Sequence, residues 1–220
     1  GMFAFAIWDK KRRELFLARD RYGIKPLYWS RSGNVFAFGS EIKAILAHPN
    51  FRAEVDKEAL LEYFTFQNYF TDRTLFKDMR LFPAGHWWAL SLEGGIEAKP
   101  VEYWDFNFEE PSNPLSKNEY IEELDRLFQQ AVCRQLVSDV EVGAYLSGGM
   151  DSGSITAIAA REIPNIKSFT CGFDLHDVSE LEYGFDERDK AEYMSHLFQT
   201  EHYEIVLKAG DMERCLPEFT

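Results

Sequence analysis

The segment Ser147-Gly148-Gly149-Met150-Asp151-Ser152 constrains this chain more than any other, because of what flanks it. Val140 to Leu146 reads as a strand, and Gly153 to Glu162 carries Ile155, Ile158 and Ala159 on one face of a helix. A strand that runs through two glycines straight into a helix belongs to an open parallel sheet. Such sheets place ligands at the carboxyl ends of their strands. The glycines let the backbone turn tightly and approach a ligand closely. Successive amide N–H groups can form an anion-binding nest, and the helix start adds unpaired donors and the positive end of its dipole. Ser147 and Ser152 add hydroxyl donors for phosphate oxygens.

Asp151 is the discordant member of the segment. A carboxylate beside a phosphate is repulsive unless a cation lies between them, so Asp151 is a candidate magnesium ligand. Its alternative role is to cap the helix. Five fixed positions at background usage arise by chance in about one of several thousand chains this long. The Walker pattern and the GxGxxG fingerprint are both absent, which leaves a P-loop kinase and a dinucleotide oxidoreductase without support.

The rest of the second half reads as the same kind of α/β sheet. Ser116-Lys117-Asn118-Glu119 is a capping box, after which Ile121, Leu124, Leu127, Phe128, Ala131 and Leu136 recur at helical spacing. Pro164-Asn165 ends the helix after the loop. Ile166 to Phe173 is a strand, Asp186 to Gln199 a helix with Ala191, Met194 and Phe198 inward, and His202 to Leu207 a further strand.

The first half is mostly β. Met2 to Trp8, a run of the buried-strand type, forms a hairpin with Glu14 to Ala18. Tyr28–Ser30 and Val35–Phe38 flank a second turn at Arg31 to Asn34. A short helix is expected from Glu41 to Ala47, ended by His48-Pro49, and a helix capped by Asp56 to about Phe64. Phe82 to Gly85 is a turn, and His86–Leu92 and Ile96–Tyr103 are strands around Glu93-Gly94-Gly95. Asn107 to Pro114, rich in Pro, Asn and acid, reads as a linker. The expected organisation is a domain at 1–106, a linker at 107–116 and a second domain at 117–220, both incomplete. Gly1 opens the chain without an initiator Met and already in mid-strand, so truncation is expected.

Composition narrows the partners. A net charge of −13 disfavours non-specific binding to nucleic acid or anionic membrane. No run of 18 apolar residues predicts a membrane span, and no signal-peptide pattern opens the chain. Cys133, Cys171 and Cys215 are odd in number and form no CxxC pair. They are expected as reduced cytoplasmic thiols, small and buried, rather than a disulfide frame, a zinc site or nucleophiles. His48, His86, His176, His196 and His202 lack metal-ligand spacing and are expected at the surface or core edge. Trp87-Trp88 reads as a half-buried strand pair, and the acidic stretch from Asp174 as a solvated loop.

The Ser-Gly-Gly-x-Asp-Ser segment resembles the motif of the N-type ATP pyrophosphatases, which include asparagine, argininosuccinate, GMP and NAD synthetases and tRNA-thiolation enzymes. The resemblance implies an adenine nucleotide alpha hydrolase-like domain that cleaves ATP between the α and β phosphates. It implies that Ser147, Gly148, Gly149, Asp151 and Ser152 grip pyrophosphate, with Asp151 on Mg²⁺. It also implies that Leu146 contacts the nucleotide through its backbone and that Cys171 lies along the adenine, by backbone contact alone.

Ala18 to Tyr28, with Arg19-Asp20-Arg21-Tyr22-Gly23-Ile24-Lys25-Pro26, and Phe38 to Ala44 resemble the late part of a class II glutamine amidotransferase domain, which has an N-terminal-nucleophile fold. Phe82-Pro83-Ala84-Gly85-His86 is typical of that domain's end. Read as residues, Asp20 to Gly23 is a tight turn with Gly at positive φ, Pro26 stiffens an edge strand, and Arg19, Asp20 and Gly23 shape the domain.

The order of the two halves, with Asp186-Glu187 and Thr200 to Glu204, is similar to that of the glutamine-dependent asparagine synthetase family. The resemblance implies a cytoplasmic enzyme of asparagine biosynthesis. It would convert glutamine, aspartate and ATP to asparagine, glutamate, AMP and pyrophosphate through β-aspartyl-AMP. The implied small-molecule partners are ATP, aspartate and glutamine, with Mg²⁺ as cofactor and no nucleic acid or membrane; a homo-oligomer is left open. The family's cysteine nucleophile and its glutamine-binding Asn and Asp are expected upstream of Gly1, and a Ser-Gly-Glu-Gly-x-Asp-Glu segment downstream. No catalytic residue is therefore expected in residues 1–220, which alone should be inactive. Three alternatives remain. One is a relative with another carboxylate acceptor, such as a β-lactam synthetase. The second is a non-catalytic nucleotide-binding or scaffold protein. The third, a phosphoribosyl-transferring amidotransferase, explains only the first half.

Overall fold

Hairpins and turn chemistry build the first of two units, Gly1–Glu109, in a computed structural model that describes residues 1–91, 99–174 and 186–219. Strands β1 (Ala4–Asp9) and β2 (Glu14–Arg19) pair antiparallel, as the sequence predicts. Asp9 closes the turn by accepting from the Lys11 and Arg12 amides at 2.8 and 3.0 Å. Strands β3 (Tyr28–Ser32) and β4 (Val35–Gly39) form the second hairpin, with Gly33 at φ 59° in its tight loop. Helices α1 (Ile42–Leu46) and α2 (Lys57–Phe66) follow. Asp56 caps α2 through the Glu58 and Ala59 amides. Strand β5 (Met79–Leu81), not expected from the sequence, joins β3. Strand β6 (His86–Ser91) joins β2, and β7 (Val101–Glu102) joins β6.

The result is an antiparallel sheet ordered β1-β2-β6-β7 and another ordered β4-β3-β5. Leu17, Leu27, Phe82, Trp88 and Leu90 are buried together, and Trp29 and Phe36 of the second sheet pack on them. Trp88 meets Trp29 edge-on at 5.0 Å. The opposite face of the second sheet packs α1 through Ile45, Phe51 and Met79.

Two strand expectations need correction. Met2–Trp8 is not buried: Ile7 is 55% and Trp8 44% exposed. β1 is an edge strand, and its Phe5 continues a row of stacked rings with Phe16 and Trp87, all of them partly exposed. Apolar continuity in sequence therefore does not report burial on both faces here. Of the expected strand Ile96–Tyr103, the part within the described residues is strand only at Val101–Glu102, and its first three residues lie outside them, as does the Glu93-Gly94-Gly95 turn. Of the tryptophan pair, Trp88 is core and Trp87 belongs to the row of stacked rings.

Arg19 and Asp20 tie this unit together. Asp20 is 1% exposed. Its Oδ1 accepts from the Tyr22 and Ile24 amides and its Oδ2 from the Phe3 and Lys25 amides, at 3.0–3.2 Å. Burial pushes the Asp20 carboxyl up, but these donors together hold it below the ordinary carboxylate range. The Arg19 guanidinium donates to the carbonyls of Lys25, Phe82 and Gly23, and Gly23 takes φ 63°. Both charged side chains are saturated by backbone, which is a shaping role.

The second unit, Glu110–Thr220, begins at the capping box on Ser116 and Glu119, which opens α3 (Lys117–Gln135). The apolar stripe of α3 is only partly packed. Val132, Phe128 and Leu136 join a core with Ala159 and Ile166, while Ile121, Leu124 and Leu127 are exposed. Only the C-terminal half of this helix reaches the core.

Strand β8 (Gly143–Tyr145), helix α4 (Met150–Glu162), strand β9 (Lys167–Phe173), helix α5 (Arg188–Phe198) and strand β10 (Glu201–Leu207) follow. The sheet order is β10-β9-β8, and both pairings are parallel. The strand–helix alternation thus gives the α/β sheet expected of it. A final helix, α6 (Asp211–Phe219), was not expected. Strand β8 is shorter than Val140–Leu146 because only Gly143–Tyr145 find partners on β9. Helix α4 starts at Met150 rather than Gly153, and its buried face is Gly153, Thr156 and Ala159, with Ile155 outward. No described helix is long and apolar enough to cross a membrane.

Candidate functional site

Residues 146–152 lie at the carboxyl end of β8, between it and α4. Leu146 is 1% exposed and anchors the turn. Its N–H donates to the Phe169 carbonyl at 2.9 Å, and its carbonyl accepts from the buried Thr170 hydroxyl.

Gly148 takes φ 74°, a conformation that L side chains disfavour, whereas Gly149 is the helix N-cap at φ −80°. The two glycines therefore do different work. Gly148 makes the turn. A Cβ on Gly149 would lie 3.3 Å from the Ser147 hydroxyl, so its bareness leaves room above the loop. A Cβ on Gly148 would lie 2.6 Å from Cβ of Lys190 and 3.2 Å from the Glu187 carbonyl, because the start of α5 packs directly against the loop.

The serines lock this geometry. The Ser147 and Ser152 hydroxyls are 3.0 Å apart, and the Ser147 amide donates to the Ser152 hydroxyl at 3.2 Å. The Ser152 hydroxyl also lies 3.3 Å from the Gly149 carbonyl, and the Gly149 amide donates to the Ser147 hydroxyl at 3.4 Å. These hydroxyls, expected from sequence to face phosphate, are engaged within the loop. The donors that remain are backbone. The amides of Gly148, Met150, Asp151 and Ser152 have no hydrogen-bond partner among the described residues, while Gly153 bonds back to the Gly149 carbonyl to begin the helix. Unpaired amides at a solvent-facing helix start form an anion cradle.

Asp151 is exposed in the first turn of α4 and does not cap it, since Gly149 is the N-cap and no side-chain cap bond is made. No ion pair or hydrogen bond engages its carboxylate among the described residues. A free carboxylate beside an anion cradle fits a divalent cation held jointly with phosphate. No group of three or more metal-binding side chains exists among the described residues, so such an ion would take the rest of its shell from phosphate oxygens and water.

The neighbouring helix start is stabilised separately. Arg188 clasps Asp186 through Nε and Nη2 at 2.6–3.0 Å and reaches Glu204 on β10 at 3.2 Å. Its hydrogen bonds hold the Asp186 carboxyl below the usual range. The Arg188 stem crosses Gly172, where a Cβ would lie 2.3 Å from its Cδ. Sequence reading missed Thr170, Gly172 and Arg188; the Gly after Cys171 was the one available signal.

Cys171 is exposed, a correction to the expectation of small buried thiols; Cys215 is exposed too and Cys133 half-buried. Cys171 shares a face of β9 with Phe169 and Phe173, opposite the Gly172 face on which α5 packs. His202 sits at the core edge, its Nδ1 2.9 Å from the buried Ser168 hydroxyl. His176 lies outside the described residues. Shallow depressions of about 240, 340 and 370 Å³ occur beside Ser30 and Phe51, beside Ala157 and Leu197, and beside Trp8 and Phe36. None of the three is lined by residues of the 146–152 loop.

Two family models match the chain, one in each half. Residues 1–104 match the glutamine amidotransferase domain family, and residues 123–220 match the asparagine synthase family. The chain is 38% identical over 227 residues to asparagine synthetase 3 (glutamine-hydrolysing) of Bacillus subtilis, covering 99% of this chain and 36% of that protein. It is 33% identical over 224 residues to a putative asparagine synthetase (glutamine-hydrolysing) of Mycobacterium tuberculosis, covering 99% and 33%. A putative asparagine synthetase 2 (glutamine-hydrolysing) of Methanocaldococcus jannaschii is 31% identical over 224 residues, covering 100% and 41%. The chain thus spans about a third of the length of the curated relatives it matches.

Proposed function

We propose that this chain, whose two halves match the glutamine amidotransferase domain and asparagine synthase families, contributes the pyrophosphate-binding loop to an ATP-dependent amide synthesis of the kind that glutamine-hydrolysing asparagine synthetases are named for. The observation that carries this reading is the cradle of four amides, at Gly148, Met150, Asp151 and Ser152, which have no partner among the described residues, with a carboxylate beside it that none of those residues engages.

In the proposed reaction an oxygen of the aspartate side-chain carboxylate attacks the α-phosphorus of ATP. The bond from that phosphorus to the oxygen bridging to the β-phosphate breaks, and pyrophosphate leaves. Ammonia from glutamine then attacks the acyl carbon of β-aspartyl-AMP, releasing AMP and asparagine. The loop contributes positioning and charge stabilisation. Its amides face the leaving diphosphate, where negative charge grows, and the Ser147–Ser152 bonds fix them beforehand. A magnesium ion held by Asp151 and the phosphates would supply charge neutralisation. The Leu146 carbonyl and the backbone at Cys171 are assigned to the nucleoside side. The first unit, read as the sheet layers of an N-terminal-nucleophile glutaminase domain, contains no cysteine. A thiolate that hydrolyses glutamine must therefore come from outside residues 1–109. A location in the cytoplasm goes with this reading.

The test uses the intact protein and aspartate labelled with oxygen-18 in its side-chain carboxylate. One label should appear in AMP for each asparagine made. Asparagine formation with unlabelled AMP would exclude the adenylate, and failure to use aspartate would point to another carboxylate acceptor.

A further inference from the structure

We propose that Lys190 is a phosphate-contacting residue of the loop site, the side chain that offsets nucleotide charge left over by the amide cradle and a bound cation. The inference rests on the loop reading above and adds a residue from a different helix. Lys190 lies in the first turn of α5, which follows β9, yet its Cβ approaches Gly148 so closely that glycine is required there. The contact places the root of a lysine against the backbone of the anion cradle. Lys190 is exposed, and no hydrogen bond or ion pair engages its side chain among the described residues.

The nearby alternative is excluded by its own contacts. Arg188, two residues earlier, is already paired with Asp186 and Glu204. The surroundings are otherwise acidic, with Asp151, Glu187 and Asp189 all exposed, in a chain of net charge −13. A nucleoside triphosphate carries more negative charge than one divalent ion cancels, and Asp151 adds to the excess. A lysine on a flexible four-carbon stem, rooted at the loop, can bring its ammonium to a β- or γ-phosphate oxygen. Its strongest effect falls on the diphosphate, since that is what the cradle holds.

Calorimetry on the intact protein, with Mg-ATP, Mg-pyrophosphate and AMP titrated separately, tests this. Lys190→Ala should weaken ATP and pyrophosphate binding about ten-fold, the loss of one partly solvated charge-assisted hydrogen bond. AMP binding should stay within about two-fold, and Lys190→Arg should restore most of the ATP affinity. Unchanged ATP affinity in Lys190→Ala would overturn the assignment while leaving the loop reading intact. An equal loss for AMP and ATP would also overturn it, by showing that the lysine merely props the loop. If the unaltered protein binds neither ATP nor pyrophosphate, the loop reading itself fails, and this inference with it.

Discussion

Replacing Asp20 by Asn changes one oxygen to an NH₂ group and almost nothing else, so it isolates the electrostatics of the knot that shapes the first unit. Each Asp20 oxygen accepts two backbone amides: Tyr22 and Ile24 on one, Phe3 and Lys25 on the other. Asparagine can satisfy one pair. Its NH₂ then confronts the other pair donor to donor, at a site 1% exposed where water cannot substitute. Hydrogen bonds to a charged acceptor contribute about 1.5–3 kcal/mol each, so losing two costs about 3–6 kcal/mol. That is a large share of a small unit's stability. Denaturant unfolding of the intact protein, followed by the fluorescence of Trp88 in the core and Trp29 packed against it, measures it. Hydrogen exchange adds a local readout, since the amides of residues 22–25 should lose protection first. The native carboxyl is held below its ordinary value. Its stabilising contribution is therefore fully present above the unfolded value of about 4 and is lost as pH falls through the native one. The gap between the two proteins should narrow below about pH 4. A loss under about 1 kcal/mol at neutral pH would refute this account of Asp20.

Gly148→Ala forces a side chain into positive φ and into Lys190, costing about 1–2 kcal/mol for the backbone and about 1–3 kcal/mol for the overlap. Gly149→Ala meets neither, so thermal melts of the intact protein should rank Gly148→Ala well below Gly149→Ala, and equal melts would contradict the distinct roles. Ser116→Ala removes the hydroxyl half of the capping box, leaving the bond from the backbone amide of residue 116 to Glu119, and should cost about 1 kcal/mol, read as faster amide exchange confined to the first turn of α3.

Much of the fold is legible because the signals are local. Hairpin turns, the caps at Asp56 and Ser116, and the strand-to-helix alternation each depend on residues a few positions apart. The errors come where burial depends on distant chain. Met2–Trp8 reads as buried but lies at a sheet edge, and half of the α3 stripe faces outward, because apolar composition does not say what covers it. Cys171 was misread for the same reason: alternation along β9 puts it on the face opposite α5.

The loop's chemistry was written in Ser147 to Ser152 alone, since glycine placement and an adjoining helix start suffice to expose amides and a carboxylate. Which groups stay free was decided only in three dimensions. The serine hydroxyls turn inward on each other, Thr170 seizes the Leu146 carbonyl, and α5 brings Lys190 against Gly148 across some forty positions of sequence. A sequence motif specifies its own backbone, but the neighbours that saturate or complete it are set by parallel strand pairing, which joins segments that are remote along the chain.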